Sequence, residues 1–321
     1  MANNDLNNAR LAKADEFYTQ LSDIEKEMAH YKEFFKDKIV YCNCDDARES
    51  NFFKFFANNF ESLGLKKLIA TGYKADGKGV KVVYEGDKNG RFMTDEEVVV
   101  TELEGNGDFR SAECIELLKE SDVVVTNPPF SLFREYVAQL MEYGKKFLII
   151  GNQNAITYKE IFPYIKENKL WLGVSISSGD REFRIPDNYV VRSKSLRIDE
   201  NGNKYVRVVG VRWFTNIPHD KRNAPLNLCK KYNEAEYPKY DNYDAINVNK
   251  TIDTPMDYDG VMGVPITFLD KYCPTQFEIL GIANNVRWIG DFPCLTIIKG
   301  EKVYNRILIR RKKAEPIVEE K

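Results

Sequence analysis

Short apolar runs bounded by turn residues alternate along this chain with stretches whose apolar side chains recur at helical spacing. Phe17, Tyr18, Leu21, Ile24 and Met28 predict a helix within the first forty residues. A strand is expected at 38–44, then a phenylalanine-rich helix over 49–63 that stops near Gly64, then a strand at 66–71. Val80, Val82 and Tyr84 alternate at the start of a hairpin excursion over 79–101, whose turn falls at 87–90. A helix at 112–120 leads into the most apolar strand of the chain, 122–126. After it come Asn127–Pro128–Pro129–Phe130, a helix to about residue 142, a strand at 146–150, a further helix and a strand near Trp171. Strands alternating with helices predict an α/β fold with a parallel, doubly wound sheet whose ligands gather at the carboxyl ends of its strands.

Beyond residue 175 or so the pattern changes. Residues 189–198 and 204–216 read as strands joined through 200–203, with Asn201–Gly202 as the hairpin signal. Two later apolar segments, 263–269 and 302–309, are expected to rejoin the main sheet.

Composition narrows the function. The 321 residues are 43 % hydrophobic and 30 % charged, ordinary for a soluble globular protein, and no apolar run approaches the ~20 residues of a membrane span. Met1 to Arg10 is polar and lacks the apolar centre of a signal peptide, so a cytoplasmic location is expected. Only two histidines, His30 and His219, are present, which sets aside hydrolases built on a histidine base. Among six cysteines no CxxC pair occurs, and neither a zinc site nor a disulfide framework is expected. Net charge is −2, yet residues 181–231 hold twelve basic side chains against five acidic ones. Seven of the twelve are arginines: Arg181, Arg184, Arg192, Arg197, Arg207, Arg212 and Arg222. A polyanion could therefore bind one part of the surface without the whole chain being basic.

Asn127–Pro128–Pro129–Phe130 carries the sharpest chemical information because it directly follows an apolar strand. An amino group on an aromatic ring is a poor nucleophile, its lone pair being delocalised into the ring. Acceptors on its two N–H bonds can draw the nitrogen towards tetrahedral geometry, and the Asn127 side-chain carbonyl and the Pro128 main-chain carbonyl are two such acceptors. Prolines stiffen the loop and remove donors, while Phe130 offers a flat face for an extruded base. Methyl transfer to such a nitrogen works by positioning and needs no strong base. A proline turn that merely closes a strand is the bland reading of the same letters.

The chain also resembles the EcoRI-type adenine-specific DNA methyltransferases of restriction–modification systems. The resemblance runs through 15–20, 40–46, 107–111, 121–136, 237–250 and 260–269. It implies a Rossmann-like class I methyltransferase sheet with a β-rich target-recognition region, and S-adenosyl-L-methionine as cofactor. Phe17, Tyr18 and Thr19 would contact the cofactor's methionine end, and Asn43, Cys44, Asp45 and Asp46 would form the turn beneath it. Asp108 would accept from its adenine amino group, with Phe109 beside the ring. Asn127, Pro128, Pro129 and Phe130 would hold a flipped adenine of double-stranded DNA, with GAATTC as the suggested target. Arg181, Arg184, Arg192, Arg207 and Arg212 are the expected DNA contacts. The domains implied are a catalytic core over 1–174, a recognition region over 175–250 and a C-terminal segment over 251–321 returning to the core. A monomer is expected, with a cognate restriction endonuclease acting on the same site rather than in a stable complex. One departure is plain: the turn after the first strand contains no glycine, and Asn or Asp would have to take any left-handed position there.

Other signals point elsewhere. Residues 72–79 come within one position of a phosphate-binding loop but lack the Ser or Thr that binds Mg²⁺, and a strand follows where a helix is needed. Asp45 and Asp46 read as turn residues rather than a metal pair. Phe52, Phe53, Phe55, Phe56 and Phe60 read as core. Cytosine-N4 methylation, protein-glutamine amide methylation and an inactive DNA-binding module remain open readings of the residues alone.

Overall fold

The computed structural model describes residues 19–44, 47, 49–75, 77–86, 98–176, 180–185, 196–283 and 296–312. Its central feature is an eight-stranded mixed sheet built from β1 (Ile39–Cys42), β2 (Lys67–Gly72), β3 (Val80–Tyr84), β4 (Val99–Glu102), β5 (Val123–Thr126), β6 (Lys146–Asn152), β7 (Trp171–Leu172) and β11 (Val211–Thr215). The order is β4-β3-β2-β1-β5-β6-β11-β7. Strands β2, β1, β5 and β6 run parallel; β3, β4 and β11 pair antiparallel to their neighbours. All four residues of β5 are buried, as expected of a parallel strand covered on both faces.

Helices fill the connections as the spacing predicts. Helix α1 (Leu21–Met28) buries Ile24 and Met28; α2 (Asn51–Asn58) is capped by Ser50, whose hydroxyl accepts from the Phe52 amide at 3.2 Å. The helix expected over 49–63 breaks at Asn59, whose side chain donates to the Phe55 carbonyl, and resumes as α3 (Phe60–Leu63) before Gly64 closes it at φ +62°. Helix α4 (Ala112–Glu120) starts on Ser111, and α5 (Phe133–Glu142) follows the proline loop. The phenylalanines of α2 and α3 are all buried in the core cluster.

Residues 204–216, which read as one strand, form two. Strand β10 (Lys204–Val208) pairs with β8 (Arg181–Ile185) and β9 (Leu196–Ile198) in a separate three-stranded sheet, while β11 crosses to β6 of the main sheet. Gly210, at φ +72°, makes the corner. The β9–β10 hairpin turns where expected: Asp199 accepts from the amides of Asn201 and Asn203, and Gly202 sits at φ +81°. Phe183, Ile185, Val206 and Val208 on the inner face of this small sheet belong to the same apolar cluster as Ile24, Met28, Phe52 and Trp213. The turn expected at 87–90 and most of the strand expected at 189–198 lie outside the described residues.

Contacts divide the chain into one unit of residues 1–155 and 172–218 and another of 156–171 and 219–321. The second unit holds α6 (Phe162–Lys166) and a four-stranded sheet ordered β12-β13-β17-β14, from β12 (Ile246–Asn247), β13 (Met262–Val264), β17 (Arg306–Arg311) and β14 (Phe277–Ala283). A short hairpin joins β15 (Ile297–Ile298) to β16 (Glu301–Lys302). The two apolar segments expected to rejoin the main sheet instead pair with each other, Met262 opposite Ile309. Apolar patterning marks a strand without naming its partner, and here the partner was another tail strand. In this unit the Arg222 guanidinium lies between the rings of Trp171 and Tyr272, 4.9 and 5.1 Å from their centroids.

Candidate active site

The sheet reverses its direction of winding between β1 and β5, and an α/β protein places its ligand in the crevice outside the carboxyl ends at such a point. Val40 lies opposite Val123 and Tyr41 opposite Val124, so the ends of both strands come out side by side. Asn127 and Pro128 leave β5 buried, Asn127 at 6 % exposure. Pro129 and Phe130 are half-buried, and Phe130 opens a single 3₁₀ turn closed by the Leu132 amide on the Pro129 carbonyl at 3.0 Å.

Beside this loop stands the turn that follows β1. Asn43 is buried and doubly held: its side-chain oxygen accepts from the Tyr136 hydroxyl, and its main-chain carbonyl accepts from the Thr126 hydroxyl. Thr126 immediately precedes Asn127, so one side chain ties the turn to the Asn127–Phe130 loop. The missing glycine is replaced by Cys44, which takes φ +66°; for a residue with a Cβ that conformation costs about 1 kcal/mol or more. The expectation that Asn or Asp fills the left-handed position therefore gives way to Cys44 among the described residues. Asp45 and Asp46 lie outside them, as do Phe17 and Tyr18.

The loop bearing Asp108 is fixed over the end of β2. Gly107 has φ +82° and packs so closely on the Gly72 carbonyl that a Cβ has no room, and the Lys74 amide bonds the Asn106 carbonyl at 2.9 Å. Asp108 accepts from Arg110 through both oxygens, at 2.9 Å from Nε and 2.7 Å from a terminal nitrogen. These bonds hold its carboxyl below the usual carboxylate range. Phe109 meets Tyr136 edge to face at 5.0 Å. Tyr136 thus touches both the β1 turn, through its hydroxyl, and the Asp108–Phe109 loop, through its ring. Burial pushes that phenol well above its ordinary pKa, so it donates as a neutral hydroxyl. Neither Tyr136, Thr126 nor Arg110 stands out in the sequence; on an amphipathic helix a tyrosine reads as core.

Thr19, just before α1, is buried, and its carbonyl accepts from the Asn51 amide group at 2.8 Å. Its hydroxyl is buried with no hydrogen-bond partner among the described residues, an opening for a ligand group.

The basic residues separate. On the outer face of the small sheet, Tyr205 lies opposite both Arg184 and Arg197, and Arg207 opposite Glu182. Arg184, Arg197 and Arg207 are exposed. Arg207 pairs with Asp180 at 2.5 Å and Arg197 with Glu182 at 2.8 Å, its guanidinium 4.4 Å from the Tyr205 ring centroid. Arg181 turns to Asp23, 3.6 Å away. Arg212 is a correction to the expected basic surface: it sits in the main sheet opposite Gly151, 2 % exposed, because it belongs to β11 and not to the hairpin. Arg192 lies outside the described residues.

A Rossmann-like sheet that gathers a proline-stiffened amide loop, a strand-one turn and a carboxylate loop at one switch point is the framework of a class I methyltransferase. The chain belongs to the EcoRI family of adenine-specific methyltransferases, whose model, "Adenine-specific methyltransferase EcoRI", matches residues 5–314. It is 52 % identical to the Type II methyltransferase M.EcoRI of Escherichia coli, over 97 % of each chain. It is 39 % identical to M.MpnI of Mycoplasma pneumoniae and 38 % to M.MgeORF184P of Mycoplasma genitalium, in both cases over 95 % of this chain and 98 % of the relative. No helix among the described residues is long and apolar enough to cross a membrane.

Proposed function

We propose that this enzyme methylates the exocyclic N6 of an adenine turned out of double-stranded DNA, drawing the methyl group from S-adenosyl-L-methionine. The observation that carries the reading is the buried Asn127 at the carboxyl end of β5, next to the Asn43–Cys44 turn and tied to it through Thr126. The residues present fit the cofactor. Thr19 brings a buried hydroxyl without a partner, Asp108 a carboxylate held ionised by Arg110, and Phe109 an apolar edge. When bound, the cofactor supplies an electrophilic sulfonium methyl. Asn127 and Pro128 accept the two amino hydrogens and aim the nitrogen lone pair, Phe130 stacks on the base, and the buried loop keeps water away. Transfer leaves the nitrogen cationic and strongly acidic, and its spare proton passes to water as the product leaves the site, so no histidine is required.

For DNA, the outer face of β8–β10 is the surface we favour, with Arg184, Arg197 and Arg207 as phosphate ligands. Arg184 is exposed and makes no ion pair among the described residues. Arg184→Ala is expected to weaken DNA binding across sequences and to make the salt dependence shallower by about one counterion. Fluorescence anisotropy over a salt series measures both. We read the enzyme as a monomeric Type II modification enzyme, paired in function with an endonuclease of the same specificity.

Incubation with labelled S-adenosyl-L-methionine and plasmid DNA, followed by digestion to nucleosides and mass spectrometry, tests the reaction. Labelled N6-methyladenine is expected, and GAATTC is the first target to map. Labelled N4-methylcytosine, or no labelled nucleoside, would overturn the assignment.

A further inference from the structure

Glu27 is fully buried and takes no part in the chemistry above, yet it is a carboxylate with no cation beside it among the described residues. It is met by donors instead. Both its oxygens accept from the Val174 amide, at 2.9 and 3.1 Å; one accepts from the Ser175 amide at 2.6 Å, and the Tyr31 hydroxyl donates at 2.8 Å. Gly173 lies so close to this carboxylate and to Trp213 that a side chain there has no space. An isolated buried carboxylate is costly, and one that accepts several charge-assisted bonds is firmly fixed in place.

Two more residues on the same side of α1 grip the same stretch of chain. The Gln20 side chain donates to the Glu182 main-chain carbonyl at 3.0 Å, and Asp23 faces Arg181 at 3.6 Å. Positions 20, 23 and 27 are three and four apart, the spacing that lines up side chains on one helix face. The four partners, Val174, Ser175, Arg181 and Glu182, lie just after β7 and at the start of β8. Beside them on α1, Ile24 and Met28 share the apolar cluster with Phe183 and Ile185 of β8.

We infer that Glu27, with Asp23 and Gln20, forms a positioning set. It fixes where the chain enters β8 after the main sheet, and so where the guanidinium groups of the small sheet stand relative to Asn127. This rests on reading the outer face of β8–β10 as the DNA contact. None of the three touches the reacting atoms; they act through the backbone they hold.

Glu27→Gln keeps the size and loses the charge, setting an amino group against amides that need an acceptor. The expected result is a KM for DNA raised about tenfold, with kcat within about twofold and cofactor affinity unchanged. Glu27→Asp should recover part of the loss. Should Glu27→Gln fail to fold, the double variant Gln20→Ala with Asp23→Asn cuts the other two fastenings without stranding a buried amide, and a smaller rise in the same KM is expected. A lowered Tm with unchanged KM for DNA in the variants that fold would reduce the set to fold stability and overturn the inference. Arg184→Ala, run alongside, separates the two claims. If it weakens DNA binding while the α1 variants leave KM unchanged, only the positioning role falls; if it leaves DNA binding intact, the choice of DNA face falls and takes the positioning role with it.

Discussion

Asn127→Ala is expected to lower kcat by about 10³-fold, some 4 kcal/mol of transition-state stabilisation, while cofactor binding stays within about twofold of the parent. In the proposed mechanism the side-chain carbonyl is the acceptor that makes the amino nitrogen nucleophilic, and a methyl group cannot stand in for it. The cofactor residues proposed here, Thr19, Asn43 and Asp108, are held by Asn51, Tyr136 and Arg110 rather than by Asn127. Binding and catalysis should therefore separate cleanly. Asn127→Asp keeps an oxygen in place and should retain more activity than alanine. Single-turnover methylation beside calorimetric titration of the cofactor distinguishes these cases. Near-normal turnover by the alanine variant would remove the mechanism.

The second large effect is expected at Tyr136, a residue outside the proposed substrate contacts. Tyr136→Phe keeps the edge-to-face contact with Phe109 and withdraws the hydroxyl from Asn43, whose buried side-chain oxygen loses its donor. Stranding such an acceptor costs about 1–3 kcal/mol. Part of that cost should appear as a cofactor Kd raised about tenfold or more, because the Asn43–Cys44 turn loses one of its two anchors. At saturating cofactor kcat should change little. An unchanged Kd would mean that the turn does not support the ligand.

How much of this was legible beforehand depended on how local the information was. The strand at 122–126, the helix at 112–120 and the tetrapeptide after them were readable because each is contiguous and bounded by its own signals; the structure has Ala112–Glu120 and Val123–Thr126. Partnership was harder to read. Residues 204–216 alternate like one strand, and only the corner at Gly210 and the register of β11 against β6 reveal two. Arg212 followed from that error, since a charge count cannot tell a hairpin arginine from one embedded in a sheet. The helix over 49–63 breaks at Asn59, whose backbone, at φ −110° and ψ 15°, leaves the helical region. Tyr136 escaped notice because its role is set by two segments far away in the chain, around Asn43 and Phe109.

With the small sheet as the proposed DNA face, the route of the chain through it bears on how target specificity could be exchanged between relatives. Strands β8 to β10 leave the main sheet after Gly173 and return at Gly210, and both crossings are tight: the first has no room for a Cβ, and the second is a single left-handed corner. Between those glycines the chain is an insertion whose two ends are fixed by the sheet it interrupts. Its inner face, Phe183, Ile185, Val206 and Val208, is sealed into the core, so among the described residues the outward positions are the ones that can drift without cost to the fold. A graft cut at the two glycines, with the inward residues and the α1 contacts carried over unchanged, is the smallest piece that could be traded as a reader without disturbing the strands that hold the writer.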